Sequence, residues 1–354
     1  MPSLLTNQFN NGLSGNALIM AQLETRQIGS TGLEVTTMGI GGAALGGIFS
    51  EVTRDEAVAT VRAGLEAGLR YADTAPFYGY GHSERRMGDA LQEEAPGFYV
   101  LSTKAGRLLV PDTDTSKQRP DWVKPLPFRA DFDYSYDGIM RSVEDSYQRL
   151  GLATIDILYM HDIAVDTHGE ADLAHHWPIA MDGGVRAMNK LRDQGVVKAI
   201  GLGVNGHEAC MEAMKYGDWD VFLLAGRYTL LEQAVLDDFL PTCVARGCSI
   251  VIGGPYNSGI LAGGDTWNYE RAPQDVFDKV AKIKAVCDSH GVALPQAALQ
   301  FPLNHPAVAS VIPGARSVEE MRMNFELMTR PIPSSLWSDL KGQGLMHPDA
   351  PVPA

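Results

Sequence analysis

The chain has 354 residues, of which 45% are hydrophobic and 20% are charged, so it can bury a sizeable core and is not an intrinsically disordered chain. Its 29 basic and 43 acidic residues give a net charge of −14, which argues against nucleic-acid binding, because that needs a basic surface. The 4 cysteines include no CxxC pair and no apolar run is long enough to span a bilayer, so a disulfide scaffold, a metal site and a membrane protein are not predicted.

The N-terminal segment is polar and has no hydrophobic period. Residues 1–22 are therefore predicted to be a disordered tail, and they do not have the pattern of a secretory signal. The folded domain is predicted to span residues 23–335, with a C-terminal tail at 336–354. Together with the sparse cysteines, these features predict a cytoplasmic protein. A homo-oligomer stays open, because the sequence does not reveal the oligomeric state.

The domain opens with a predicted β-hairpin, in which Glu24–Ile28 and Leu33–Thr37 flank a turn that contains two glycines. After the hairpin, short apolar runs alternate with amphipathic helical patterns. The eight predicted strands are Thr37–Gly41, Leu69–Asp73, Phe98–Lys104, Ile155–His161, Val197–Gly203, Val221–Ala225, Ser249–Gly253 and Ser310–Pro313. The predicted helices are Arg54–Ala67, Ser83–Gln92, Tyr136–Leu150, Gly183–Gln194, Glu208–Tyr216, Leu231–Arg246, Val276–His290 and Val318–Leu327.

This alternation determines the predicted fold class. Strands that alternate with helices pair in parallel through right-handed crossovers, and eight such units close into a single (β/α)₈ TIM barrel. An open doubly wound sheet is the alternative, but the glycines after the first strand lack the GxGxxG spacing. Two long loops, Ala105–Asp133 and Gly254–Ala272, follow the third and seventh strands. Both lie at the C-terminal face of such a barrel and are rich in aromatic residues, which predicts that they wall a pocket.

Four residues that can carry proton chemistry follow neighbouring strands at this face: Asp73, Tyr78, Lys104 and His161. Each alone has a structural explanation, as a turn cap, a packed aromatic, a rim charge or a core histidine. Together they form an acid/base group, in which Asp73 holds Lys104 charged and Lys104 lowers the pKa of the phenol. His161 would bind the substrate oxygen or relay the proton. Because no side chain supplies a hydride, carbonyl/alcohol interconversion by this group implies a nicotinamide cofactor.

The sequence resembles the aldo-keto reductases in its opening hairpin and in five further motifs, in the same order along the chain. The segments are Gly29–Val35, Tyr71–Gly79, Gly81–Glu84, Leu101–Lys104, Ile155–His161 and Ile312–Arg316. The resemblance covers residues 24–330. It implies that Tyr78 is the catalytic acid/base and that Asp73, Lys104 and His161 complete a tetrad.

The resemblance also implies a dinucleotide site at the strand ends. The cofactor-binding residues that it implies are Gly41, Asn205, Gly253, Pro255, Asn257, Ser258, Gly259, Gly314, Arg316, Glu320 and Asn324. Asn205 would reach the carboxamide, and the Gly-rich turn that begins at Gly253 would donate N–H groups to the pyrophosphate. NADP-using members tend to carry Lys at position 314 and Arg at position 320, whereas this chain has Gly314 and Glu320. An acid favours a ribose hydroxyl over a 2′-phosphate, so NAD is predicted ahead of NADP, although Arg316 could pair with a phosphate.

Within the family, the sequence looks most like the branch of sugar and pyridoxal dehydrogenases. The segments that carry this likeness are Asp133–Asp137, Ala225–Leu231 and Gly253–Leu261. It implies oxidation of the anomeric carbon of an aldose (L-fucose, L-galactose or a D-threo-aldose) to a lactone, with Tyr78 as base. Arg227 would bind sugar hydroxyls, or else form a surface salt bridge, and Phe77 or Trp122 would stack on the ring. The alternatives are a pyridoxal 4-dehydrogenase, a general aldehyde or ketone reductase, and a cofactor-binding regulatory subunit.

Overall fold

The computed structural model describes residues 23–114, 118 and 120–353, so the predicted tail at 1–22 lies outside the described residues. The strands are β1 (Thr25–Gln27), β2 (Glu34–Thr36), β3 (Ile40–Gly41), β4 (Tyr71–Asp73), β5 (Val100–Ala105), β6 (Arg107–Pro111), β7 (Phe128–Phe132), β8 (Ile157–His161), β9 (Ala199–Val204), β10 (Val221–Ala225), β11 (Ser249–Gly253), β12 (Thr266–Trp267), β13 (Glu270–Arg271) and β14 (Val308–Ile312).

The helices surround the main sheet and alternate with its strands. They are α1 (Arg54–Glu66), α2 (His82–Leu91), α3 (Tyr136–Leu150), α4 (Val165–Ile179), α5 (Val185–Asp193), α6 (His207–Ala213), α7 (Phe239–Arg246), α8 (Gln274–Ser289), α9 (Leu294–Gln300), α10 (Val318–Thr329) and α11 (Ser334–Gly342). None of the helices among the described residues is both long and apolar enough to cross a membrane.

Eight strands form one parallel sheet that closes on itself. Their order is β3, β4, β5, β8, β9, β10, β11 and β14. The two outer strands meet through parallel bridges that join Met38 to Val311 and Gly41 to Gly314. The Val311 N–H donates to the carbonyl of Thr37 at 2.9 Å, and the Gly39 N–H donates to the carbonyl of Val311 at 2.9 Å. The predicted (β/α)₈ barrel is confirmed, and each predicted strand overlaps a strand of this sheet.

The predicted N-terminal hairpin is also confirmed and forms part of the barrel core. β1 and β2 pair antiparallel. Ile28, Leu33 and Val35 are buried in a cluster with Tyr71 and Tyr159 of the barrel strands. The hairpin therefore covers the N-terminal end of the barrel and excludes water from it.

Burial on both faces explains why the barrel strands appear as continuous apolar runs rather than alternating ones. Every residue of β8 and β9 is buried. The close approach of β9 and β10 also requires a glycine, because a Cβ at Gly201 would lie 1.6 Å from the carbonyl oxygen of Val221. Helix α1 begins where Thr53 and Glu56 form a capping box, which satisfies two of the free N–H groups at the helix start.

The structure differs from the sequence prediction in the two long loops, in two helices and in the C-terminal segment. Each long loop contains a hairpin, β6–β7 in the first and β12–β13 in the second. Helices α4 and α9 were not predicted. Residues 336–353 do not form a loose tail, because α11 packs Leu336, Trp337 and Leu340 into the core.

Candidate active site

A buried ion pair joins two neighbouring barrel strands. The Lys104 Nζ of β5 donates to the Asp73 Oδ2 of β4 at 2.7 Å and to the carbonyl of Thr74 at 2.9 Å. The Ser102 hydroxyl donates to the other carboxylate oxygen at 2.7 Å. Burial raises the pKa of Asp73, and the Lys104 ammonium opposes that shift. The predicted pairing of Asp73 with Lys104 is thus present in the structure.

Tyr78 lies in the turn that follows β4, directly beside this pair. The Lys104 Nζ is 4.6 Å from the centroid of the Tyr78 ring, and the ring of His161 is 6.0 Å away, centroid to centroid. The indole of Trp122 lies 5.9 Å from Tyr78. The structure therefore brings together all four residues that the sequence singled out for proton transfer.

The expected effect of Lys104 on the phenol is not found. Burial raises the pKa of Tyr78 well above its ordinary value, and the negative charge of Asp73 acts in the same direction. The physical reason is that burial of the phenol and the negative charge of Asp73 outweigh the nearby ammonium, whose hydrogen bonds go to Asp73 and to the Thr74 carbonyl rather than to Tyr78. Tyr78 is accordingly a protonated phenol near neutral pH, ready to donate a proton.

His161 ends β8 and stays neutral. Burial lowers its pKa to about 3, although the nearby carboxylate of Asp162 opposes the shift. Its Nε2 lies 3.4 Å from the Asp162 Oδ2, while its buried Nδ1 has no hydrogen-bond partner in the described structure. His161 is therefore a neutral imidazole beside Tyr78, and its unpaired Nδ1 is enclosed by protein.

The sequence analysis missed a second ion pair that supports His161. Arg107, the first residue of β6, forms a salt bridge with Asp162, and its guanidinium lies 3.9 Å from the centroid of the Phe77 ring. Burial alone would raise the pKa of Asp162, but the Arg107 guanidinium, which carries the positive charge here because His161 is neutral, holds that pKa below its ordinary value. The hint in the sequence is a charged residue soon after each of two apolar strands, Arg107 two residues after β5 and Asp162 directly after β8.

A cleft of about 480 Å³ at the barrel mouth is lined by Asp73 and Tyr78 and extends to Arg316 and Glu320, which follow β14. The implied cofactor residues that line it are Gly41, Gly253, Pro255, Ser258, Gly259, Gly314, Arg316, Glu320 and Asn324. The backbone bends sharply around the cleft at Gly254, where φ is +56°, and at Gly259, where φ is +112°. Glycine adopts such angles without strain, so an extended dinucleotide can lie against bare backbone here.

Two implied cofactor residues do not line the cleft. The Asn257 side chain is buried and donates to the carbonyl of Gly226 at 2.9 Å and to the Glu232 Oε1 at 3.0 Å. It holds the loop together instead of facing the ligand. Asn205, directly after β9, is also absent from the described lining of the cleft.

The predicted substrate residues lie beside the cleft and not in its lining. Phe77 and Trp122 pack together with Tyr80 in a small aromatic cluster next to Tyr78. Arg227 donates to the Asn268 Oδ1 at 2.6 Å and lies 3.4 Å from Glu232, so it is engaged in holding a loop. The large exposed apolar side chains that line the cleft are Phe49, Tyr269 and Met323. Tyr269 belongs to the second long loop, which was expected to wall a pocket, whereas Phe49 and Met323 were not predicted.

Comparison with known proteins identifies the family. A sequence profile described as the aldo/keto reductase family matches residues 37–343. The chain belongs to the aldo/keto reductase family. Members of this family are oxidoreductases that use nicotinamide cofactors, so the resemblance seen in the sequence motifs is confirmed.

The chain is similar to two dehydrogenases over most of its length. It is 43% identical over 336 residues to the pyridoxal 4-dehydrogenase of Microbacterium luteolum, a match that covers 91% of this chain and 98% of the relative. It is 38% identical over 323 residues to the D-threo-aldose 1-dehydrogenase of a Pseudomonas species, a match that covers 88% and 94%. Among solved structures, the holo form of an aldo-keto reductase from Bacillus halodurans superposes with a TM-score of 0.71 at 23% identity and covers 92% of this chain and 97% of that one. At 23% identity, the likeness to this solved structure supports the fold alone.

Proposed function

We propose that this aldo/keto reductase oxidises a cyclic hemiacetal to a lactone with NAD, and that pyridoxal is the substrate that fits best. The two dehydrogenase relatives are named for pyridoxal and for a D-threo-aldose. These compounds share one piece of chemistry, because each closes an aldehyde on one of its own hydroxyl groups to form a ring. Oxidation then removes a hydride from the hemiacetal carbon and a proton from its hydroxyl, and leaves a lactone.

The observation that supports pyridoxal as the substrate is the apolar, aromatic character of the cleft near Tyr78. Ile48, Phe49 and Tyr269 line it, and Trp122 packs against Tyr78 from behind. Such walls suit a flat aromatic ring. The arginine expected to bind sugar hydroxyls, Arg227, is instead bonded to Asn268. An aldose is the second candidate, supported by the relative that is 38% identical.

The tetrad residues have complementary roles in this reaction. The cleft residues would hold a nicotinamide cofactor, which when bound would supply the hydride acceptor. The neutral His161, whose ring lies beside that of Tyr78, orients the hemiacetal hydroxyl, and Tyr78 in its phenolate form takes the proton. Lys104, held by Asp73, stabilises that phenolate once it forms. Because burial raises the pKa of the phenol, oxidation is favoured at high pH and the reverse reduction at low pH.

The preference for NAD is supported by the charge balance at the far end of the cleft. Arg316 is the one cationic residue in the described lining, and both its Nε and its NH2 donate to the carboxylate of Glu320, at 3.1 and 2.7 Å. The Arg316 backbone N–H also donates to Glu320 at 2.9 Å. A 2′-phosphate would have to displace this carboxylate, whereas a ribose hydroxyl would not.

A substrate panel tests the proposed function. The purified chain would be assayed with NAD and with NADP on pyridoxal, L-fucose, L-galactose and simple aldehydes, by following the absorbance of the reduced nicotinamide. The highest kcat/KM is expected with pyridoxal and NAD. Turnover of the sugars alone would move the assignment to the aldose candidate. Tight nucleotide binding without any turnover would contradict both and favour a regulatory role.

Glu320→Gln tests the assignment of the cofactor. The substitution keeps the shape of the side chain but removes its charge, so Arg316 becomes free to pair with a phosphate. The dissociation constant for NADP is expected to fall about tenfold, since a charge-assisted hydrogen bond contributes roughly 1.5–3 kcal/mol, while NAD binding changes little. Fluorescence titration with both nucleotides measures the effect. An unchanged NADP affinity would show that this pair does not face the 2′ position.

A further inference from the structure

A two-residue turn in the second long loop carries an exposed tyrosine into the cleft. Strands β12 and β13 pair antiparallel through Thr266–Arg271 and Trp267–Glu270, so Asn268 and Tyr269 form the turn. Tyr269 is 41% exposed and lines the same cleft as Tyr78. The turn is therefore the tip of a small hairpin that stands at the mouth of the active site.

The backbone of this turn is strained at the tyrosine. φ is +49° at Asn268 and +66° at Tyr269, the pattern of a type I′ hairpin turn. Asparagine and then glycine suit the two positions, because both need a positive φ. A tyrosine in the second position adopts a conformation that bulky side chains avoid, and such outliers cluster at functional sites.

Three hydrogen bonds hold the strained turn in place. The Asn268 Oδ1 accepts from Arg227 at 2.6 Å, and the Tyr269 N–H donates to the Ser258 hydroxyl at 3.0 Å. The indole of Trp267 donates to the Glu232 Oε1 at 2.7 Å. These contacts fix the backbone that carries the Tyr269 side chain, which itself faces the cleft. Arg227 and Ser258, both expected to touch ligands, thus position the turn.

The phenol of Tyr269 lines the same cleft as the phenol of Tyr78. Its negative form would raise the pKa of Tyr78, so the two hydroxyl groups influence each other across the cleft. The cleft lining also includes the apolar residues Ile48 and Phe49, on the segment between β3 and α1. A phenol hydroxyl in such a wall can pair with a polar substituent of a bound ring.

We propose that Tyr269 is a specificity-determining residue whose hydroxyl binds a hydroxyl group of the substrate that lies close to the reacting hemiacetal carbon. Pyridoxal carries such a group at ring position 3, and aldoses carry one at carbon 2. Arg227 is a positioning residue, because it acts through Asn268 on the turn. The inference rests on the proposed function, since it requires a hydroxyl-bearing cyclic hemiacetal as substrate.

The test combines a change in the protein with a change in the substrate. Wild type and Tyr269→Phe would be assayed on pyridoxal and on 3-deoxypyridoxal, and in parallel on L-galactose and its 2-deoxy analogue. Removal of the hydroxyl from the substrate is expected to lower the wild-type kcat/KM about tenfold, because the phenol then loses its partner. In Tyr269→Phe the two substrates of each pair are expected to differ by less than about twofold. Equal discrimination by the two proteins would overturn the role of Tyr269.

Two further variants separate specificity from fold. Tyr269→Gly relieves the strained turn, so its Tm is expected to match or exceed that of wild type while discrimination is lost. Arg227→Gln alone is expected to weaken the discrimination between the two substrates of each pair. Added to Tyr269→Phe, the same substitution is expected to change that discrimination no further. Tyr216→Phe is the matched control, because this tyrosine is 49% exposed and does not line the cleft. If wild type turns over none of these substrates, the proposed function fails. If wild type turns them over and Tyr269→Phe still discriminates between the two substrates of each pair, only the role of Tyr269 is rejected.

Discussion

Tyr78→Phe is expected to lower kcat for oxidation by about a thousandfold, the scale on which a positioned acid/base contributes. The ring remains, so its packing against Trp122 and the neighbouring Lys104 should persist. Only the hydroxyl that exchanges the proton is lost. The KM for substrate and the dissociation constant for NAD should therefore stay within about twofold of wild type, as for an interaction made only in the transition state. Steady-state kinetics and nucleotide titration measure the two effects.

The pH profile sharpens this expectation. Because burial raises the pKa of Tyr78, the wild-type rate of oxidation should climb with pH over the neutral and alkaline range, and the rate of reduction should fall. The residual rate of the variant should lack that dependence. Tyr228→Phe serves as control, since the buried Tyr228 hydroxyl has no hydrogen-bond partner among the described residues. A Tyr78→Phe enzyme that keeps more than about a tenth of wild-type kcat would contradict the assignment.

The barrel could be predicted from sequence because its strands are buried on both faces. Such strands appear as unbroken apolar runs between turns, as Val221–Ala225 does. Helix α4 escaped prediction because it buries none of its residues and is interrupted at Gly169, where φ is +68°. Helix α9 does bury an apolar face, but its 7 residues are too few to show a helical period. The hairpin in the second long loop has strands of 2 residues, which are also too short to show a period.

The part of the site that could be predicted from sequence is the part whose residues are brought together by the order of the strands alone. Asp73 and Lys104 end neighbouring parallel strands, so their pairing follows from topology. The pKa of Tyr78 was predicted in the wrong direction, because it depends on how Lys104 divides its hydrogen bonds and on how deeply the phenol lies. The hydrogen bonds of Arg227 and Asn257 could not be predicted for a similar reason. Their partners are 41 and 25 residues away in sequence, and only the folded loop brings them together.

Tyr269 is a case in which the local sequence preference of a turn is violated at a residue that lines the cleft. The dipeptide after Trp267 gives no turn signal, since a tyrosine occupies a position that favours glycine. Sequence reasoning therefore placed no hairpin in this loop. Violations of local preference that the surrounding structure enforces tend to mark functional sites, and this one lines the same cleft as Tyr78.

Asp73→Asn is expected to lower the free energy of unfolding by about 3–5 kcal/mol, because it leaves a buried ammonium without its counter-charge. Asp73 and Lys104 are each 1% exposed, so neither charge can turn to water. Lys104→Met should cost a similar amount, since the carboxylate is then left alone. The double variant, Asp73→Asn with Lys104→Met, should recover most of the loss, because an amide and a thioether can be buried more cheaply than a single charge.

Urea unfolding of the four proteins forms a double-mutant cycle that measures this coupling. The exposed pair of Arg62 and Glu93, 2.9 Å apart, is the control, and Glu93→Gln should cost less than about 1 kcal/mol. Activity separates the two roles of the buried pair: the double variant should be stable yet slow, because Tyr78 then lacks the ammonium that stabilises its phenolate. Single variants as stable as wild type would mean that the pair is not buried as charges. A double variant with wild-type kcat would remove Lys104 from the reaction.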